Sequence, residues 1–435
     1  MARLIYSTLL RLALPAWLAR LWWRGRREPG YRKHLGQRLG LGQVQPPGAL
    51  WVHAVSLGET RAAAPLVAAL RERLPDLPLL LTHGTATGWE AGAALLRPGD
   101  RQAWLPIDTP GAVRRFLRRQ RPALGVLMET EVWPNLQAQA AGLGVPMVLA
   151  NARLSERSAA KGWRLQRLMR PALRTMHSVL AQTEPDAQRL RALGARDVRV
   201  MGNLKFDLVP RDDLLAQGRR WREALVRPVV LAAVTREGEE QVLLHAWAAM
   251  SWSLVRPLLL IVPRHPQRFN EVAALVRSAG WRMARRSDWL GAAADHPPAD
   301  AHSSDVWLGD TLGEMSLYYG LADAALLGGS FEPLGGQNLI EALACGCPMV
   351  VGPHTFNFAE AAEGAIAAGA AQRVPNLPGA LTCLEQWLSP DQAQAHRQRA
   401  EAGRQFAAAH RGAAQRMTEA VVDLWRDRIP EPASS

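Results

Sequence analysis

Five stretches of the chain gather residue types that can do chemistry, at spacings that would bring them to one place. In His53-Ala54-Val55-Ser56-Leu57-Gly58-Glu59-Thr60 an apolar run meets a Gly-containing turn and then a helix-forming segment. That sets Glu59 at a helix start, where negative charge is favoured. A carboxylate held at a strand end can take the proton from an attacking hydroxyl. A Glu that merely caps the helix reads the same way. In Met128-Glu129-Thr130-Glu131-Val132-Trp133-Pro134-Asn135 two carboxylates and an amide follow a very apolar run, which is costly unless they bind cations, hydroxyls or each other. On an extended chain Glu129 and Glu131 point the same way, so their paired ionisation would perturb one pKa.

The other three stretches carry positive charge or glycine. Lys205 lies in Gly202-Asn203-Leu204-Lys205-Phe206-Asp207 and is one of only three lysines, with Lys33 and Lys161, among 52 basic residues. At a domain junction it can reach a phosphate from either side. Pro263-Arg264-His265-Pro266-Gln267-Arg268-Phe269 is a stiff, positive loop suited to phosphate. No carboxylate or Cys stands at a ligand spacing from His265, which argues against a metal there. In Gly328-Gly329-Ser330-Phe331-Glu332-Pro333-Leu334-Gly335-Gly336-Gln337-Asn338-Leu339-Ile340-Glu341 a strand runs into paired glycines, and a second pair opens a helix near Asn338. Such backbone can approach a phosphate, and the amides of a helix start bind anions. Glu341, in the first turn, can accept hydrogen bonds from ribose hydroxyls. The spacing fits neither a dinucleotide fingerprint nor a P-loop, since no Lys-Ser/Thr follows. It predicts a mononucleotide, hence a nucleotide-activated donor rather than a redox cofactor; glycines that serve close packing give the same pattern.

The apolar runs between these stretches say what must position them. Residues 50–55, 79–83, 124–130, 145–151, 178–183 and 198–203 are rich in Val and Leu without strict alternation, as in parallel strands buried on both faces. After a polar, helical stretch near 211–226 the pattern restarts at 228–235, 257–265, 305–310, 324–330 and 348–353. The prediction is an α/β chain of two doubly wound Rossmann-like domains facing across a cleft, with ligands at the C-terminal strand ends, where all five stretches fall. The expected boundaries are a membrane-associated helix and basic segment over 1–30, a first domain over 31–208, a linker over 209–226, a second domain over 227–405, and a closing helix and loose tail over 406–435.

Charge narrows the partners. The 435 residues carry a net +13, but residues 1–38 hold nine basic groups against Glu28 alone, so +8 sits there and the other 397 residues carry +5. A near-neutral body with a basic N-terminal patch argues against nucleic acid as partner. Residues 4–23 are mostly apolar, interrupted by Arg11 and Arg20, with Arg3, Ser7 and Arg11 along one helical face and Pro15 in the middle. With Trp17, Trp22, Trp23 and the basic run that follows, this predicts a helix embedded in or anchored to an anionic membrane surface rather than a full span. A buried helix of the first domain is the alternative. Cys345, Cys347 and Cys383 fit neither zinc nor disulfide spacing and read as small buried residues in a reducing compartment.

Taken in order, SLGET, METEVWPN, NARLS, GNLKFD, PRHPQRF, GDTLGEM, GGSFEPLGGQN and GPHTFNF, with the N-terminal LWWRGRREPGYRKHLGQRLG, closely resemble the 3-deoxy-D-manno-octulosonic acid (Kdo) transferases of lipopolysaccharide assembly. The likeness covers nearly the whole chain. It implies a GT-B fold, acceptor on the first domain and donor nucleotide on the second. It also implies inverting transfer of Kdo from CMP-Kdo to the lipid A precursor (lipid IVA) at the cytoplasmic face of the inner membrane. By the same resemblance Glu59 matches the catalytic base, and Glu129 with Lys205 the pair that stabilises the transition state. Pro263, Arg264, Leu312, Gly313, Glu314, Asn338, Leu339, Ile340 and Glu341 match contacts to CMP. Many members read GGHN where this chain has Gln337, so only a hydrogen-bonding role passes to that position, and Phe331-Glu332-Pro333 departs from the common Leu-Val pattern. No Asp-x-Asp triplet occurs, so neither a catalytic metal nor another cofactor is expected. The competing readings are a GT-B transferase that uses a UDP- or ADP-sugar and a non-catalytic membrane-bound sugar- or lipid-binding protein.

Overall fold

The computed structural model describes residues 1–253, 255–290 and 296–427. The chain divides into two compact units, one built from Met1–Asp207 together with the stretch from Arg411 on, the other from Leu208–His410. Each is organised around a seven-stranded parallel sheet.

In the first unit the strands are β1 Ala49–His53, β2 Leu79–His83, β3 Arg101–Trp104, β4 Pro122–Met128, β5 Met147–Ala152, β6 Ser178–Ala181 and β7 Val198–Val200, in the order β3-β2-β1-β4-β5-β6-β7. Their apolar residues feed two cores in alternation. Leu50 and Val52 pack with Leu66, Leu70, Met417 and Trp425 on one face, whereas Trp51 packs with Phe116, Leu149 and Leu173 on the other. Both faces are covered, which is why the runs lack a polar alternation. The strand order reverses between β1 and β4, the switch point at which ligands bind in such sheets.

The second unit repeats the plan with β8 Val229–Thr235, β9 Leu258–Pro263, β10 Met283–Arg285, β11 Val306–Leu308, β12 Ala324–Leu327, β13 Met349–Val351 and β14 Ala371–Arg373. The order is β10-β11-β9-β8-β12-β13-β14, so the reversal falls between β8 and β12. The three cysteines are buried and free. Burial pushes the thiols up, Cys345 to about 12 and Cys383 to about 11, which leaves them unreactive.

Three expectations change. Strands β3, β10 and β14 are short edge or near-edge strands of sequence RQAW, MAR and AQR, without the apolar run that marked the others. Residues 209–226 hold the expected helix but are part of the second unit rather than a free linker. They contain the helix Asp212–Ala224, whose Gly218 lies so close to Leu317 O of the helix Met315–Leu321 that no Cβ would fit, while Trp221 is buried against Trp289. In place of the single closing helix expected within 406–435 there are two helices, Ala393–Ala409 in the second unit and Ala413–Arg426 in the first. The break is at Gly412, left-handed at φ +93°, where Asp207 accepts from the amides of Gly412 and Ala414. The tail PEPASS lies outside the described residues.

The N-terminal helix is Ala2–Arg24 and is long and apolar enough to cross a membrane. One face docks on the first unit. Tyr6 donates to Asp108 at 3.0 Å, Ser7 donates to Asn135 Oδ1 at 3.1 Å, and Leu21 joins Tyr31 and Ala86. Ser7, which shares a stripe with Arg3 and Arg11, is therefore turned inward. Leu4, Ile5, Leu9 and Leu12 are left exposed.

Candidate active site

In the first unit the turn after β1 is held from both sides. Val55 O accepts from the amides of Gly84 and Thr85, and Val55 N donates to Glu59 Oε2 at 2.8 Å. Ser56 caps the helix Leu57–Arg73 by accepting from Glu59 N. Glu59 is thus a capping residue by position, and the cap fixes where its carboxylate points. Burial, and after it the charges of Glu131 and Glu129, raise that carboxyl to about 7 against the opposing hydrogen bonds from Val55 and Ser56.

Glu129 stands one residue past β4 in the left-handed region, φ +56°. The extended geometry expected for Glu129 and Glu131 is therefore absent, and the two carboxylates meet different partners. Glu129 lies 3.5 Å from Lys205 Nζ and 4.0 Å from Arg153 Nε. Glu131 accepts from Trp133 Nε1 at 2.7 Å and lies 3.8 Å from His53 Nε2. The carboxyl that their proximity raises is Glu59.

Lys205 sits on the short 3-10 turn Leu204–Asp207. Buried Asn151, itself left-handed at φ +52°, accepts from Leu204 N through Oδ1 at 3.0 Å. Gln182 donates to Asn151 O and accepts from Asn203, and Asn203 Oδ1 accepts from Lys205 N at 3.0 Å. The ends of β4, β5, β6 and β7 thus fix one ammonium group beside Glu129. Gln182 was not singled out in the sequence. Its only signal is a polar residue directly after the apolar run of β6.

In the second unit the residues matched to donor contacts occupy the ends of β9, β11 and β12. Arg264 N donates to Thr235 O at 2.9 Å. Glu240, fully buried, accepts from Thr235 Oγ1 and takes both Nη atoms of Arg268 at 2.7 and 3.0 Å, which locks the Pro263–Arg268 loop. Glu239 accepts from Gly329 N at 2.8 Å and from Arg236 N, and burial raises its carboxyl. The stretch Thr235-Arg236-Glu237-Gly238-Glu239-Glu240 escaped the sequence reading because consecutive charges at a helix start look like a solvated end.

The remaining positions differ in what they can offer a ligand. Leu312 is exposed and Gly313 is left-handed at φ +82°, so this turn presents backbone. Glu314 already holds Arg286 through two bonds, at 2.8 and 3.1 Å. Leu339 and Ile340 are buried, and Asn338 Oδ1 accepts from Ile340 N at 3.1 Å. The helix expected near Asn338 begins at Ile340 and has six residues, and in the glycine loop before it Gly329, Gly335 and Gly336 are all at positive φ, with Gly329 N and Gly336 N bonded to Glu239 and Gly329 O. Glu341 accepts from Ser316 Oγ at 3.4 Å.

The family model for 3-deoxy-D-manno-octulosonic-acid transferase (kdotransferase) matches residues 33–208. A 3-deoxy-D-manno-octulosonic acid transferase of Bordetella pertussis is 48% identical over 437 residues, covering 97% of this chain and 99% of that protein. The chain belongs to the Kdo transferase family. A second Kdo transferase, of Haemophilus influenzae, is 36% identical over 83% of this chain and 84% of its own length. A glycosyltransferase of Rickettsia africae has the same fold, with a TM-score of 0.56 at 13% identity over 89% of this chain and 100% of that one. As a Kdo transferase this protein is a glycosyltransferase, and its two parallel α/β units are the framework on which Kdo transfer is carried out.

Proposed function

We propose that this Kdo transferase moves Kdo from CMP-Kdo to the lipid A precursor in one inverting displacement on a GT-B framework, with Glu59 as general base. The proton of an acceptor hydroxyl passes to the Glu59 carboxylate as that oxygen bonds to the anomeric carbon. The bond from that carbon to the CMP phosphate oxygen breaks, and CMP leaves with the electron pair. One base suffices and no covalent intermediate forms. Lys205 steadies the charge that develops at the reacting centre, and Arg264 with the backbone near Asn338 takes the phosphate charge, so no metal cofactor is called on. The reading is carried by one observation: a partly buried carboxyl near neutral pKa is fixed by its own helix cap beside the Glu129–Lys205 pair. Incubation with CMP-Kdo and lipid A precursor should add Kdo masses to the acceptor, and CMP should raise the melting temperature more than UDP or ADP does. Transfer from a UDP- or ADP-sugar instead, or no transfer from any donor, refutes the reading.

The sign of the pH dependence follows from the raised carboxyl. The base works only when ionised, so kcat/KM should climb with pH and level off above about pH 7. Replacing Glu131 with Gln removes a charge that raises Glu59 and should move this acid limb to lower pH. Stability runs the other way. Between the unfolded value of 4.5 and about 7 the folded chain keeps a proton that the unfolded chain releases, so stability falls as pH rises across that window. A pH profile with no limb near 7 contradicts the assignment.

Membrane attachment belongs to the same proposal. The exposed Leu4, Ile5, Leu9 and Leu12, with Trp22 and Trp23 at 50% and 65% exposure, leave an apolar face on the N-terminal helix, and nine basic groups of residues 1–38 suit anionic headgroups. This arrangement suits the cytoplasmic surface of the inner membrane, where a lipid acceptor is available.

A further inference from the structure

We infer that Arg236 receives the carboxylate of the sugar acid in the donor, apart from the phosphate, and so selects an ulosonic acid donor over a neutral sugar. The inference rests on the CMP-Kdo reading given above. In a nucleotide-linked 2-ulosonic acid the carboxylate and the phosphate oxygen hang from the same carbon, so two anions must be received side by side.

The second unit carries two arginines that leave the sheet from neighbouring strand ends. Thr235 of β8 and Pro263 of β9 are direct neighbours in the sheet, and the next residue on each strand is an arginine, Arg236 and Arg264. Adjacent strands lie about 4.8 Å apart, so the two residues start from neighbouring points of one strand-end row. On its other side Arg236 meets the glycine loop, for its Cγ is 3.5 Å from where a Cβ on Gly329 would stand, with Gln337 Nε2 at 3.4 Å from the same point. Arg236 therefore lies between the Arg264 loop and the glycine loop, at the reversal between β8 and β12. Partial burial and the charges of Arg236, Arg264 and Arg268 together hold the His265 imidazole below its ordinary range, as expected of guanidinium groups gathered at one strand-end cluster.

The Arg236 guanidinium also has no hydrogen-bond or ion-pair partner among the described residues, whereas nearby arginines are committed. Arg268 is paired with Glu240 and Glu271, Arg285 with Asp310, and Arg286 with Glu314. Its backbone is held instead, since Arg236 N donates to Glu239 at 2.8 Å and Val234, two residues earlier, stands at φ +53°, where a β-branched residue is strained. A fixed backbone carrying an uncommitted, planar, two-pronged cation is suited to a carboxylate.

The test compares CMP-Kdo with CMP, which lacks the sugar acid. In Arg236→Gln the KM for CMP-Kdo should rise about ten- to a hundredfold, the loss of one charged pair, while inhibition by CMP stays within about twofold of wild type; that retained inhibition also reports a folded donor domain. Arg236→Lys, which keeps the charge but not the fork, should fall between the two. An equal loss of CMP inhibition in both variants puts Arg236 on the phosphate and overturns the inference, as does an unchanged KM. Wild-type protein that takes no CMP-Kdo refutes the donor reading itself, whereas wild type that takes it with no change in the variants refutes Arg236 alone.

Discussion

Glu59→Gln protein should transfer Kdo about 10²- to 10⁴-fold more slowly than wild type, a loss of about 3–5 kcal/mol of barrier lowering, with CMP-Kdo bound as before. Gln has the shape of Glu, and its amide oxygen can still accept from Val55 N, so the cap that sets the side chain in place survives. What it lacks is a carboxylate basic enough to take a proton. Stability moves in the opposite direction from activity. Ionising wild-type Glu59 above about pH 7 works against its burial and the charges of Glu129 and Glu131, so the Gln variant should melt at the same or a higher temperature at pH 8. A dead but sturdy enzyme separates a chemical role from a capping role, because loss of the cap alone lowers the melting temperature and leaves the rate near normal. Turnover close to wild type in Glu59→Gln removes this residue from the mechanism.

Much of this was legible before any coordinate. Two series of apolar runs with chemistry-bearing residues at their ends require two doubly wound units, because a parallel strand buried on both faces leaves its signature in composition alone. Glu59 was visible because a glycine turn between an apolar run and a helix can place it nowhere else. Other features were hidden for identifiable reasons. The sequence places Glu129 on an extended chain, whereas its φ of +56° goes with backbone bonds to Ala150 and Arg153 on the neighbouring β5 segment, a tertiary contact with no local trace. The stretch 209–226 looked like a linker because its helix is polar over most of its surface, and the contact of Gly218 with Leu317 involves a residue almost a hundred positions later. Consecutive charges such as Arg236, Glu239 and Glu240 carry no sign of burial in the sequence, yet Glu240 is fully buried under Arg268. A buried ion pair between strand ends is written in two distant places, and neither place shows it alone.

Lys205→Met should lower the rate of transfer by about 10²- to 10³-fold with little change in donor affinity, the size of effect seen when one group aimed at developing charge is removed. The ammonium is 16% exposed and its neighbour Glu129 13%, at 3.5 Å, so neither charge is well screened by water and each sets the position of the other. Glu129→Gln should then be almost as damaging, because it frees Lys205 from the point to which Asn151, Gln182 and Asn203 bring it. The double variant should be no slower than Lys205→Met by more than about threefold, since residues that act as one unit lose their function once. Lys205→Arg should not restore the rate: a planar fork wider than an ammonium cannot occupy the same point beside Glu129. Single-turnover rates at saturating CMP-Kdo measure all four proteins without interference from product release. If the two single losses multiply in the double variant, Glu129 and Lys205 act independently, and the picture of one ammonium placed by one carboxylate is wrong.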